Sequence, residues 1–74
     1  MNKYVYSEMY DFPEIKTIMG KSYKDAAERL INKYVEKYEN DEDLPKIDNL
    51  EDLQIYMSDT YEVELSDLID IDEL

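Results

Sequence analysis

Ser22-Tyr23-Lys24-Asp25-Ala26-Ala27-Glu28-Arg29-Leu30-Ile31-Asn32-Lys33-Tyr34-Val35-Glu36-Lys37-Tyr38 is the stretch on which the fold turns. Tyr23, Ala26, Ala27, Leu30, Ile31, Tyr34, Val35 and Tyr38 recur three and four positions apart, which is the spacing of one face of an α-helix. Lys24, Glu28, Arg29, Lys33, Glu36 and Lys37 take the other face. Ser22 is placed to cap the first turn, with Asp25 three residues on as a variant of the capping box. The spacing therefore predicts a helix over 23–38 with its apolar stripe buried against a sheet.

Upstream, residues 3–10 alternate with period two and are rich in β-formers, with Tyr4, Tyr6, Glu8 and Tyr10 on one side and Lys3, Val5, Ser7 and Met9 on the other. Phe12-Pro13 should end or bulge that strand, since proline cannot donate to a ladder. Glu14 to Met19 reads as a second short strand closed by Gly20. Downstream, Asn49-Leu50-Glu51-Asp52-Leu53 is compatible with a single capped helical turn or with an extended arm. From residue 61 to 72, Val63, Leu65, Asp67, Ile69 and Ile71 alternate with mostly acidic partners, which predicts a terminal strand. The expected fold is α+β, order ββαβ: a small antiparallel sheet packed against one amphipathic helix, forming one domain over residues 1–74.

The chain has 74 residues, with 20 acidic and 8 basic side chains, for a net charge of −12. The charge is split. Residues 1–38 hold six acids and seven bases, a net of +1, whereas residues 39–74 hold fourteen acids and the single base Lys46, a net of −13. Histidine and cysteine are absent, which excludes disulfides, thiolate nucleophiles, Ser-His catalysis and ordinary zinc sites. No run approaches the ~20 apolar residues of a membrane span, and no apolar signal segment follows Met1-Asn2-Lys3-Tyr4. A soluble cytoplasmic protein with no cofactor and no membrane partner is expected. A core this small rarely supplies more than ~3–5 kcal/mol, so oligomerisation or partner binding is expected, with a homodimer as the first choice. Val63, Leu65, Ile69 and Ile71 are the candidate inter-subunit strand, and residues 3–10 are the runner-up.

Asp67, Asp70 and Asp72, or Asp41, Glu42 and Asp43, offer hard oxygen donors. They lack the EF-hand spacing, and a solvated acidic face is the expected role. The eight tyrosines are expected to cover the core with their hydroxyls at its rim, not to stack nucleobases, because the net charge opposes direct nucleic-acid binding. The row Arg29-Lys33-Lys37 is read as a solvated helix face. The carboxylates have a sharper reading: Glu39, Asp41, Glu42, Asp43, Asp48, Glu51 and Asp52, in or beside a mobile loop, would be drawn to a protein whose own surface is basic.

Phe12-Pro13-Glu14-Ile15, Gly20-Lys21-Ser22, Asp25-Ala26-Ala27 and Leu44-Pro45-Lys46 occur in the order and nearly the spacing of motifs in the HicB antitoxin family, which this chain resembles. Leu68-Ile69-Asp70-Ile71-Asp72 also resembles the strand that ends that family's core. The sequence departs from the pattern in the short segment before Phe12 and in Ile47, which stands where the family has a second proline. The resemblance covers the core domain alone, without the DNA-binding domain. It implies a partly degenerate RNase H-like fold that binds and occludes a small basic ribonuclease toxin of the HicA type and performs no catalysis. Two other functions fit the charge: a phage-type nucleic-acid mimic that inhibits a nuclease, for example an anti-CRISPR protein, and an acidic structural domain.

Overall fold

The alternation that opens the sequence folds as a hairpin. In a computed structural model describing residues 1–74, β1 (Asn2–Met9) and β2 (Pro13–Gly20) pair antiparallel from Asn2↔Gly20 to Met9↔Pro13. The first strand does end before Phe12-Pro13, at Met9, and Pro13 opens the edge strand opposite it, where a missing N–H removes no ladder bond. α1 (Tyr23–Lys37) follows, capped by Ser22, whose hydroxyl accepts from the Asp25 N–H at 3.1 Å. Asp25 in turn accepts from the Lys21 N–H at 2.8 Å and from Arg29 Nε at 3.1 Å. The backbone bond from Lys21, more than the arginine, holds the Asp25 carboxyl below its usual range. Gly20 is buried at the β2–α1 junction, where a Cβ would stand 2.5 Å from the Ala26 nitrogen. Glycine is needed here for close approach, since its φ is ordinary.

The α+β class and the small antiparallel sheet are as expected, but the ββαβ order is not. A second helix, α2 (Leu50–Tyr61), occupies the stretch that sequence left open. Asn49 caps it by accepting from the Asp52 N–H at 2.9 Å, and Asp52 accepts from the Asp48 N–H at 3.1 Å. Leu50, Leu53, Tyr56 and Met57 form its buried stripe. Its last turn is closed by Glu62 in the left-handed conformation, φ 57°, with the Val63 N–H returning to the Met57 carbonyl.

The strand expected over 61–72 is instead two short pieces, β3 (Glu64–Leu65) and β4 (Ile69–Asp70), followed by a 3-10 turn over Ile71–Glu73. Both pieces lie along β1, on the side away from β2. The cause can be read in the register. Leu65 lies opposite Glu8 and Asp70 opposite Tyr4, so Ser66, Asp67 and Leu68 face only Tyr6 and Ser7. One extra residue makes a bulge, and Ser66 fastens it: its backbone N–H donates to the Ser7 carbonyl and its hydroxyl accepts from the Ser7 N–H. Because side chains alternate with period two, the extra residue exchanges the faces. Leu65 and Leu68 are both buried, while Ile69 and Ile71 are turned out.

The core lies between the sheet and the two helices. It consists of Tyr4 and Tyr6 of β1, Ala26, Leu30, Ile31 and Tyr34 of α1, Leu50, Leu53, Tyr56 and Met57 of α2, and Leu65 and Leu68. α1 packs over β2, α2 over β3, and the helices touch each other. The predicted stripe of α1 is the buried one apart from Tyr23, which is nearly half exposed at the helix start.

Candidate functional site

Tyrosines build the support for the acidic half. Tyr38, at the end of α1, stacks on Tyr61 at 4.7 Å between ring centroids, and Tyr34 stacks on Tyr38 at 6.4 Å. Tyr56 meets both Tyr38 and Tyr61 edge-on. Such pairs favour offset or edge contacts through the ring quadrupole. This cluster joins the end of α1 to α2, and the Tyr56 hydroxyl projects from it to donate to the Asp41 carboxylate. Asp41 also accepts from the Asp43 N–H at 2.9 Å, while the Leu44 N–H donates to the Asp41 carbonyl. Leu44 and Ile47 pack against the core. The segment expected to be a mobile loop is thus tied down at its centre. The Tyr56 bond holds the Asp41 carboxyl below its usual range; burial first, and then this bond, push the Tyr56 hydroxyl up.

The seven acids singled out for partner binding divide accordingly. Asp41 and Asp52 are partly buried and spend their oxygens on the Tyr56 hydroxyl and on backbone N–H groups of the chain itself. They shape the segment and are withdrawn from the recognition surface. Glu39, Glu42, Asp43, Asp48 and Glu51 are exposed, Asp48 having Lys46 at 3.8 Å.

α2 supplies what the sequence reading lacked. It contains no lysine or arginine, and its outward side presents Glu51, Ile55 and Asp59 at spacing four, one above the other. Ile55 is 52% exposed. It forms part of two shallow depressions, one shared with Glu51, Asp59, Glu64 and Asp67, the other with Asp43, Lys46, Asp52 and Asp59. The result is an apolar anchor with carboxylates on both sides and Lys46 as the one cation beside it. A third depression between the helices, floored by Ala27, Ile31 and Leu50, has Glu28, Asp48, Glu51 and Asp67 at its rim and Lys24 as its one cation. Asp59, Glu64 and Asp67 were not among the predicted site residues. Asp59 falls eight positions after Glu51, a signal that becomes readable only once residues 50–61 are taken as helical.

The candidate dimer strand is divided into two pieces. Leu65 is core, Val63 is half-buried, and Ile69 and Ile71 share no strand face with Leu65 because the bulge intervenes. The runner-up, residues 3–10, is the central strand of the sheet, with both edges already paired, and has no edge to offer a second copy.

Elsewhere the polar groups serve the fold. The Tyr34 hydroxyl donates to Glu8, and Lys16 stands 3.6 Å from the same carboxylate. The Tyr6 hydroxyl is buried without a partner. Arg29 is engaged with Asp25, and the Lys37 ammonium sits 5.4 Å over the Tyr38 ring. Asp67 accepts from Gln54 at 2.9 Å and Asp70 from the Asp72 N–H at 3.0 Å. No group of three or more carboxylates gathers in a metal-holding arrangement, and no helix is long and apolar enough to cross a membrane. Compared with protein-family models, with curated proteins and with solved structures, the chain matches none.

Proposed function

We propose that this chain is a non-catalytic inhibitor that binds a basic nucleic-acid-processing protein in the cytoplasm, in the manner of a HicB-type antitoxin core occluding a HicA-like ribonuclease toxin. The observation that carries the reading is Ile55, exposed between Glu51 and Asp59 on a helix without a cation. Carboxylates steer a basic partner into encounter, and a central apolar side chain gives the complex an anchor from which water is excluded. Glu39, Glu42, Asp43 and Asp48 extend the same charge along the segment that leads into α2. The hairpin, the helix laid on one face of the sheet and the edge strand returning beside β1 support a reduced, RNase H-like HicB core. The bulge within that edge and the second helix are departures from the expected ββαβ order.

A second reading, nucleic-acid mimicry of the anti-CRISPR kind, is favoured by the linear array on α2. Glu51 and Asp59 lie about 12 Å apart along the axis, with carboxylates on both sides of that line.

The test is capture from the native host with the immobilised protein, identification of what is retained, and assay of its nuclease activity. The proposal expects a basic nuclease whose activity falls on stoichiometric addition of the protein. If no basic protein is retained, or the retained nuclease works unchanged, the inhibitor reading fails. Relief by excess nucleic acid distinguishes mimicry from occlusion at a separate surface.

A further inference from the structure

The helices cover one face of the sheet and leave the other without a helical layer, reached only at its edge by Leu74 after the C-terminal turn. The molecule measures 17 Å in its thinnest direction, room for one sheet and one helical layer. By the register, the uncovered face carries Lys3, Val5, Ser7 and Met9 from β1, Pro13, Ile15, Thr17 and Met19 from β2, and Glu64 and Ile69 from the other edge. A solvated antiparallel face ordinarily alternates towards polar side chains. Here Ile15 is 72% exposed, Ile69 45% and Met9 and Met19 40% each. Val5, Ile15, Ile69 and Leu74 line one continuous apolar groove on it.

We propose that this face is the contact between two copies of the chain, stacked sheet on sheet with the helical layers outside. Three features select a second copy as the occupant. First, the acids of α2 and the segment before it, a net of −7 over residues 39–61, belong to the helical side, so stacking keeps these two acidic surfaces apart, and a basic partner finds only one carboxylate among the strand positions of this face. Second, that carboxylate and the only cation lie at opposite ends: Lys3 near one end of β1, and Glu64 opposite Met9 at the other. A two-fold axis across the middle of β1 brings Lys3 of each copy over the Met9–Glu64 end of its mate, the self-complementarity that an isologous interface requires. Third, the area suffices for a weak dimer. Eight residues at ~3.3 Å by three strands at ~4.8 Å give a face of about 26 × 14 Å. Two such corrugated faces remove on the order of 1,000 Å² in total, the lower limit for a specific interface. This proposal is independent of the inhibitor reading.

Sedimentation velocity from low micromolar to millimolar protein tests it. The parent should pass from monomer to dimer in this range. Ile15→Asp, at an exposed position, should stay monomeric with an unchanged circular dichroism spectrum. Lys3→Glu and Glu64→Lys should each weaken the dimer roughly tenfold, the effect of two exposed ion pairs turned into repulsions, and the double variant should recover towards the parent. A parent that is monomeric throughout, or a dimer that Ile15→Asp leaves intact, overturns the proposal. The latter would place the contact at the free edge of β2. If Ile15→Asp removes nuclease capture from a monomeric parent, the face belongs to that partner instead. Failure of the double variant to recover overturns the antiparallel stacking.

Discussion

The Tyr34 hydroxyl donates to the Glu8 carboxylate across 26 positions of sequence, tying the C-terminal half of α1 to the central strand. Lys16, 3.6 Å from the same oxygen, supplies the countercharge. Tyr34→Phe keeps the ring in the core but leaves a carboxylate at the sheet–helix interface short of a donor. Losing such a bond costs about 1–3 kcal/mol. Urea denaturation should show that loss for Tyr34→Phe and a smaller one for Glu8→Gln, whose amide oxygen still accepts. Unchanged midpoints would show that the contact is energetically idle.

Alkaline pH should unfold the protein. Burial is the first cause holding the Tyr6, Tyr34 and Tyr56 hydroxyls protonated above the ordinary value of 10.0; the bonds to Glu8 and Asp41 add to it for Tyr34 and Tyr56. Above pH 10 the unfolded chain releases these protons while the folded chain retains them. Stability, intact below that pH, then falls by up to about 1.4 kcal/mol per pH unit for each such tyrosine. Tyrosinate absorbance from Tyr6, Tyr34 and Tyr56 should appear in one cooperative step together with loss of the helical signal. Ionisation of these three with the helical signal intact would contradict this.

Gly20→Ala should destabilise the junction. Its Cβ would meet the backbone nitrogen and Cα of Ala26 at 2.5 and 2.6 Å, so β2 and α1 must separate. Overpacking of this kind costs about 1–3 kcal/mol. A thermal melt should fall by several degrees, and a variant melting with the parent would mean that the junction yields freely.

Glu62→Gly should act in the opposite direction. Glu62 is the one residue other than glycine with positive φ, and a left-handed backbone costs an L-residue roughly 1–2 kcal/mol that glycine avoids. Part of that gain is offset by glycine's greater freedom in the unfolded chain. A small rise in melting temperature is expected, and a fall would show that the Glu62 side chain does more than close the helix.

The elements whose patterns are local and uninterrupted were legible in the sequence. The stripe from Ala26 to Tyr38 and the cap at Ser22 need nothing outside their own turns, and the period-two alternation of residues 3–10 is likewise complete in itself. α2 was harder because its buried residues, Leu50, Leu53, Tyr56 and Met57, share the segment with exposed Ile55, which blurs the apolar stripe. The last strand failed for a different reason. Val63, Leu65, Ile69 and Ile71 keep a regular alternation on paper, but the bulge at Ser66–Leu68 is fixed by bonds to Ser7, more than fifty residues away, and nothing in the local pattern announces it. The candidate site was legible as a charge split and not as a surface. Glu51 is legible as one of those charges, Asp59 joins it only once its helix is formed, and the engagement of Asp41 and Asp52 is hidden because their partners, Tyr56 and the backbone of the chain itself, are visible only once the chain is folded.

The central claim is that the carboxylates around Ile55 and along the preceding segment recognise a basic protein, and association kinetics test it most directly. Glu39→Gln, Glu42→Gln, Asp43→Asn, Glu51→Gln and Asp59→Asn, all exposed positions, should together leave the melting temperature nearly unchanged, since surface charges contribute little to stability. Stopped-flow mixing with the captured nuclease should then separate the two proteins. The parent should associate fast at low salt and much more slowly once the screening length shrinks to about 8 Å at physiological ionic strength. The neutralised protein should be about tenfold slower or more at low salt and nearly indifferent to salt. Equal rates for the two at both ionic strengths would contradict the account and move the search for the binding surface to the Arg29-Lys33-Lys37 face of α1.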